Sequence, residues 1–487
     1  MNEKEYKHIK TNTNPNDLNI NNYIYKDTII KKKFRCNCKL ICCIICFILI
    51  FILIGFILFY FFSYYSISKN ESVKEKKATI EELITAKYNT VIKLNDLKLD
   101  SFKSNYIYNT EHLNSFYNFS IDFFELINYT DFSPISLYSV LINLYMSISD
   151  KEESEKLNEI LELNHDERLI FYNQIFQNNY FSNSDGEVKI SNGAFYNSDN
   201  VIENITFIEE FTKTYTECYK LSYKEDFNFI LDWINLSIKE KNFVDKKSFK
   251  DNNNISMLLI SSLYYKQKWR KKFADSYTYK DKFYIDNNKY KEVYFMRHSY
   301  SVDYYYDYDT YISFYDFYSN EYLIQYLIPK SNDEYFYHFI KDYNSNILNL
   351  IKDTNFLEEN ESNLKYIDII DLSVPKFKKE SEIDFVPVLK KLGLEKLFNK
   401  HFSTVENPFI IEKEKNYYTD KIFQKNKIEF NEDGTIIKST SLVSNSITSP
   451  RPPKKLEIKL NQPFIYIIKD KNKLPIYIGY MIEPIQD

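Results

Sequence analysis

The sequence predicts an α+β domain preceded by one transmembrane helix. Three observations predict it. Apolar residues at helical spacing open the domain, β-branched and aromatic runs fill its second half, and an uncharged apolar run precedes both.

At 487 residues, with 18% aromatic content, the chain can bury a large core in which Tyr and Phe supply much of the apolar area. Length alone does not decide between one large domain and two. The formal charge of −5 gives no global reason to expect nucleic-acid binding. The six His are dispersed without an H-E-x-x-H pair, so neither a metal site nor a cofactor is expected.

Residues 1–39 are expected to form a disordered cytosolic tail. The run Leu40–Phe62 is uncharged, and at about 1.5 Å per residue it is long enough to cross a hydrocarbon layer of roughly 30 Å. With the interfacial Tyr64 it defines a span over 40–64 that contacts the lipid bilayer. Lys31, Lys32, Lys33, Arg35 and Lys39 crowd the near flank. Lys69, Lys74, Lys76 and Lys77 on the far flank are looser and mixed with Glu71 and Glu75. The dense cluster stays cytosolic, which places the downstream domain outside the cell or in a lumen. Cleavage as a signal peptide fits less well, because the charged region is long and the apolar run extended; shedding or secretion stays open.

Five of six cysteines (Cys36, Cys38, Cys42, Cys43, Cys46) lie in or beside that run, and only Cys218 lies downstream, so no disulfide framework holds the domain. The juxtamembrane cysteines suit lipid acylation, or serve as small hydrophobes.

Residues 65–112 mix Lys/Glu runs with apolar positions and read as a stalk or partial helix. From Leu113 the pattern becomes that of a dense domain, over 113–487. Phe116, Phe119, Phe123 and Leu126 share a helical face. Ser133 and Pro134 open a second, buried helix, since Ser suits an N-cap and Pro the first turn. "ISMLLISSLYYKQKW", "KYKEVYFM", "YLIQYLIP" and "YIDIIDLSVPKF" read as strands, interrupted by the short helix "FVPVLKKLGLEKLF" with Gly393 at its turn. Phe464–Ile468 and Pro475–Met481 read as a closing strand pair.

In this order the segments resemble the serpin family, over about Leu113 to Gln486. "FSPISLYSVLINLYM" is similar to that family's early buried helix, with Ser133 and Ser136 at the two serines of the shutter beneath the central sheet. "SNGAFY" resembles a central strand. "LYYKQKWRKKF", carrying Trp269 and Phe273, resembles the approach to the breach where the sheet opens. "VPKFKKESEIDFVPVLKKLGLEKLF" matches at Pro375, Lys376, Phe377, Leu389, Leu392, Gly393 and Phe398, and the C-terminal strands match at Pro463, Phe464, Gly479 and Pro484. Ser261 and Gln267 stand where the family usually has Asn and Gly, and Gln424 stands where it usually has a shutter His. The resemblance implies about nine helices, three β-sheets and an exposed reactive loop near the C-terminus.

It also implies a mechanism. A protease cuts the loop, the loop enters the central sheet as an added strand, and the acyl-enzyme is dragged away before hydrolysis completes. On this reading "NEDGT" is the hinge, with Glu432, Gly434, Thr435, Ile437 and Ser439, and Thr435, Ile437, Ser439, Ser441 and Val443 face the core after insertion. Counting forward from Glu432 places the cut at Thr448–Ser449. Counting back from Pro463 places it at Arg451–Pro452, where the proline opposes cleavage. Ile447, Thr448, Ser449 and Arg451 are therefore the candidate scissile residues. The implied activity is inhibition of a serine-type or cysteine-type endopeptidase, serine class preferred, by a monomeric protein that is not an enzyme. A non-inhibitory serpin-like surface protein with a binding, scaffolding or host-interaction role is the second reading.

Overall fold

The computed structural model describes residues 87–99, 106–182, 186–244, 249, 255–286, 288–301, 304–308, 311–317, 322–330, 363–413, 415–434 and 454–486. The expected membrane span over 40–64 and the loop residues from Thr435 to Arg451 lie outside these. Among the described residues no helix is long and apolar enough to cross a membrane.

Eight α-helices occur among the described residues: α1 (Thr110–Leu126), α2 (Pro134–Ser147), α3 (Lys151–Ile160), α4 (His165–Asn178), α5 (Ile205–Thr212), α6 (Tyr223–Asp226), α7 (Asn228–Ile238) and α8 (Val386–Lys391). The strands of the first half are β1 (Ile92–Lys93), β2 (Phe181–Ser182), β3 (Gly186–Asn197) and β4 (Thr216–Leu221). Those that follow α7 are β5 (Met257–Gln267), β6 (Tyr279–Tyr284), β7 (Tyr290–Ser301), β8 (Tyr304–Asp307), β9 (Tyr311–Phe317) and β10 (Tyr322–Pro329). The last are β11 (Leu364–Tyr366), β12 (Ile369–Pro375), β13 (Phe377–Asp384), β14 (Phe423–Phe430), β15 (Lys455–Lys459), β16 (Phe464–Asp470) and β17 (Pro475–Met481). This is an α+β fold, with helices early and strands late.

Local chemistry sets the helix ends. The Asn109 side chain accepts from the Glu111 N–H at the start of α1, and the Ser133 side chain caps α2 with Pro134 in its first turn. Gly393, at φ +92°, closes α8 with paired bonds from its own N–H to Lys390 O and from Leu394 N–H to Leu389 O. Only glycine takes that conformation without strain. Helix α2 is buried almost all round and packs against β3, β5 and β17, so it runs through the interior of the domain.

The strands form four hydrogen-bonded sets among the described residues, where three sheets were expected. One is five-stranded (β1, β4, β3, β2, with β5 on β3). A second is six-stranded (β11-β8-β9-β10-β16-β17), a third is four-stranded (β15-β12-β7-β6), and the fourth is the pair β13-β14. The fourth arises because β5 pairs with β3 alone and β14 with β13 alone among the described residues, while both flank one cavity. Residues 87–99, which fall in the expected stalk, pack on the domain: Ile92 and Lys93 pair with β4, and Tyr88 and Val91 are buried.

A buried polar network joins β13 and β14 to β16 and β17. Asp131, with no exposed surface, receives Lys379 Nζ at 2.6 Å, the Tyr480 N–H at 3.1 Å and the Tyr466 hydroxyl. Asn426 and Ser381 donate to its backbone carbonyl. Tyr466 lies opposite Gly479 in the β16–β17 register, and a Cβ on Gly479 would overlap its ring, with Cε1 at 2.8 Å. Gly479→Ala is therefore expected to displace Tyr466 from Asp131 and to destabilise the protein by about 1–3 kcal/mol, measured by urea denaturation.

Candidate functional site

The stretch "NEDG" reverses the chain at the end of β14. The Asn431 and Gly434 backbones exchange both N–H···O bonds, at 3.3 and 3.2 Å, and the Asn431 side chain accepts from the Asp433 N–H at 3.1 Å. Gly434 sits at φ +118°. It also bridges Lys268, just past β5, in the antiparallel sense, as it does Asn431. The backbone at Gly434 thus starts downward between two strands that run parallel to each other. A Cβ there would overlap the Gln267 carbonyl oxygen and lie 2.8 Å from both Lys268 Cα and Trp269 N. The need for glycine is steric as well as conformational.

Two segments clasp this turn, the connection after β5 and Lys376 between β12 and β13. Trp269 donates from Nε1 to Asn431 O at 2.8 Å and from its backbone to Asp433 O at 3.4 Å, and Phe273 N–H donates to Glu432 O at 3.2 Å. Glu432 accepts from Thr278 Oγ1 at 2.8 Å and pairs with Lys376 Nζ at 3.0 Å; Lys272 pairs with Asp433. Burial pushes the Glu432 carboxyl up. Its bonds with Lys376, a backbone N–H and Thr278 outweigh that and hold it below the usual carboxylate range. The clasp is therefore present at neutral pH and is lost as pH falls through that lowered value.

Farther down, Gln424 on β14 meets the cap of α2. The Ser133 N–H donates to its Oε1 at 2.8 Å, and its Nε2 donates to Ser133 O at 3.0 Å. Ser133 Oγ donates to Ile476 O at 3.0 Å. The glutamine therefore closes a reciprocal amide pair on the backbone, which an imidazole ring does not reproduce. Gln424→Leu leaves the buried Ser133 N–H without a partner, while Ser133 O keeps the Leu137 N–H at 3.2 Å; a loss of about 1–3 kcal/mol is expected, read by denaturant titration.

Between these two clasps lies a cavity of about 220 Å³, lined on one side by Leu258–Lys266 of β5 and on the other by Phe423–Glu429 of β14. Ile234 and Ile238 of α7 cover it, and Ser133, Ser136 and Val140 of α2 form part of its wall. Two lining hydroxyls, Ser136 Oγ and Ser261 Oγ, are buried without a hydrogen-bond partner. The slot thus lies between parallel strands, and the chain at Gly434 is antiparallel to both. Among the described residues no group of His, Cys, Asp and Glu side chains is arranged to hold a metal ion.

The serpin family model (serine protease inhibitor) matches residues 114–484. The chain belongs to the serpin family. Serpins are not catalysts, and this serpin is not an enzyme. It is 27% identical over 229 residues to an uncharacterized serpin-like protein of Acanthamoeba polyphaga mimivirus, covering 45% of this chain and 52% of that one. It is 27% identical over 239 residues to serine proteinase inhibitor 1 of Variola virus, covering 47% and 59%. The chain thus spans between half and three fifths of these relatives. Its fold matches that of tengpin, a thermophilic serpin in its native state, with a TM-score of 0.63 and 20% identity over 81% of this chain and all of the other.

In this serpin the structure brings together Glu432, Gly434 and Trp269 at one end of the slot, and Ser133, Ser136 and Gln424 along it. Thr435, Ile437, Ser439, Ile447, Thr448, Ser449 and Arg451 lie outside the described residues. Sequence reading named Lys376 without seeing that it holds Glu432. It did not find Lys272 on Asp433, or His298, whose ring stacks on Phe273 with centroids 3.9 Å apart. A usable signal was the acidic pair in the turn, which calls for cations nearby.

Proposed function

We propose that this serpin inhibits a serine-type endopeptidase as a suicide substrate, its loop after Gly434 entering the slot between β5 and β14 once cut. The observation that carries this reading is the backbone at Gly434, bonded antiparallel to the ends of both strands at the mouth of the cavity. A strand descending from there extends pairing already begun, and Ser136 and Ser261 offer it buried hydroxyls that lack partners. Released pairing and burial are what pull the trapped acyl-enzyme out of shape. The serine class is favoured by the family description. Within the loop, Ile447, Thr448 and Ser449 are the preferred cut positions, ahead of Arg451, whose next residue is a proline.

We further propose that residues 40–64 anchor a monomeric protein, with its N-terminus cytosolic and the inhibitory domain outside or in a lumen. Tethering would concentrate inhibition near the bilayer. The deciding experiment incubates the full chain with a panel of serine and cysteine proteases. A denaturant-resistant complex, and a melting temperature that climbs sharply after loop cleavage, are expected. Clean cleavage with neither result would leave the non-inhibitory binding role instead.

A further inference from the structure

Residues 87–99 precede the family match, which begins at 114, yet they are built into the domain. Ile92 and Lys93 form β1 along the outer edge of β4. Asn95 extends that join, accepting from the Cys218 N–H at 2.8 Å and donating to Thr216 O at 2.9 Å. The segment also reaches helix α7 and the short helix α6 before it. Tyr88 OH and Lys87 Nζ both donate to Asp232 Oδ2, on α7. Thr90 donates from its N–H and its hydroxyl to Asp226 Oδ2, each at 2.7 Å, while its hydroxyl accepts from the Ser222 N–H.

Tyr88 and Val91 belong to a second apolar cluster, separate from the main core, that includes Phe195 and Tyr219 of the sheet and Phe229 and Trp233 of α7. The Tyr88 ring meets Phe229 edge-on at 5.4 Å. Helix α7 covers part of the slot, through Ile234 and Ile238. Just beyond its end, Glu240 pairs with Lys427 of β14, so the cover reaches both banks. A strand moving into the slot has to pass beneath this cover, and residues 87–99 fasten the side of the cover away from β14.

We propose that residues 87–99 are an intramolecular strap that holds α7 over the slot and thereby slows the admission of a strand. The first half stands on the contacts alone; the second rests on the inhibitory reading above.

The test uses the full chain carrying Tyr88→Phe with Thr90→Val, which removes the strap's hydroxyl bonds and keeps its shape. A stronger variant, Tyr88→Ala with Val91→Ala, opens the second cluster. Hydrogen exchange of the uncut protein is expected to be about tenfold faster in α7 for the first variant and faster still for the second. Exchange in β16 and β17 stays unchanged. After loop cleavage, both variants reach the higher-melting form sooner than the unaltered chain.

Unchanged α7 exchange in the variants overturns the strap. Faster exchange with an unaltered rate of stabilisation overturns its control over admission. If the unaltered chain never gains stability on cleavage, the inhibitory reading falls and takes the second half with it, while α7 exchange still decides the first. Should the stronger variant expose β16 and β17, the milder one decides.

Discussion

Lys379→Met is expected to destabilise the protein by about 3–5 kcal/mol, the usual result of removing one partner from a buried ion pair. Asp131 has no exposed surface, and Lys379 supplies its only cationic contact among the described residues, at 2.6 Å, while also donating to Tyr480 O at 2.7 Å. Burial already lifts the Asp131 carboxyl above its ordinary value, and the attraction of Lys379 offsets only part of that rise. Without the lysine the carboxyl rises further, so the folded state holds a proton that the unfolded state releases near pH ~4. Stability therefore falls as pH climbs from the unfolded value to the raised folded one, and is flat above it. Urea midpoints measured at several pH values should show a deficit that is smallest in acid and grows toward neutrality. Asp131→Asn combined with Lys379→Met should recover part of the loss, because no charge is then left buried.

That network marks where sequence reading stops. Helix α1 is legible from its apolar spacing, and α2 from Ser133 and Pro134 at its start. Gly393 and Gly434 are legible because their neighbours make turns. Strand β13 is a different case: "FKKESEID" has little strand propensity, and it is extended because it pairs with β14 along its whole length, with Lys427 set against Glu380. Helix α3 is heavily charged and buries only Glu153 and Leu157, too little for its spacing to stand out. Residues 87–99 read as a stalk because what orders them, Asp226, Asp232 and β4, lies more than a hundred residues away in sequence. The cations on Glu432 and Asp433 are hidden for the same reason. Local chemistry is written locally, whereas the partners of a slot come from all over the chain.

On the proposed inhibitory reading, Gly434→Val is expected to turn an inhibitor into a substrate. The residue sits at φ +118°, where a β-branched side chain is strained by about 1–3 kcal/mol. Its Cβ would also run into the Gln267 carbonyl and the backbone of Lys268 and Trp269. Crowding of that kind adds about 1–3 kcal/mol. The outcome of inhibition is a race between insertion and hydrolysis of the acyl-enzyme, and only insertion must draw the chain through this junction. Both strains are already present before the cut, so insertion is slowed by the further crowding met as the chain is drawn past Lys268, about tenfold for each 1.4 kcal/mol that this crowding adds, while the loop remains as easy to cut. Measured against any protease that the unaltered chain traps, the variant should be cleaved at an unchanged rate, yield little denaturant-resistant complex, and gain little melting temperature after cleavage. A variant that traps protease as well as the parent would mean that the strand starts elsewhere, because no chain carrying a valine at Gly434 fits between Asn431 and Lys268 without moving them apart.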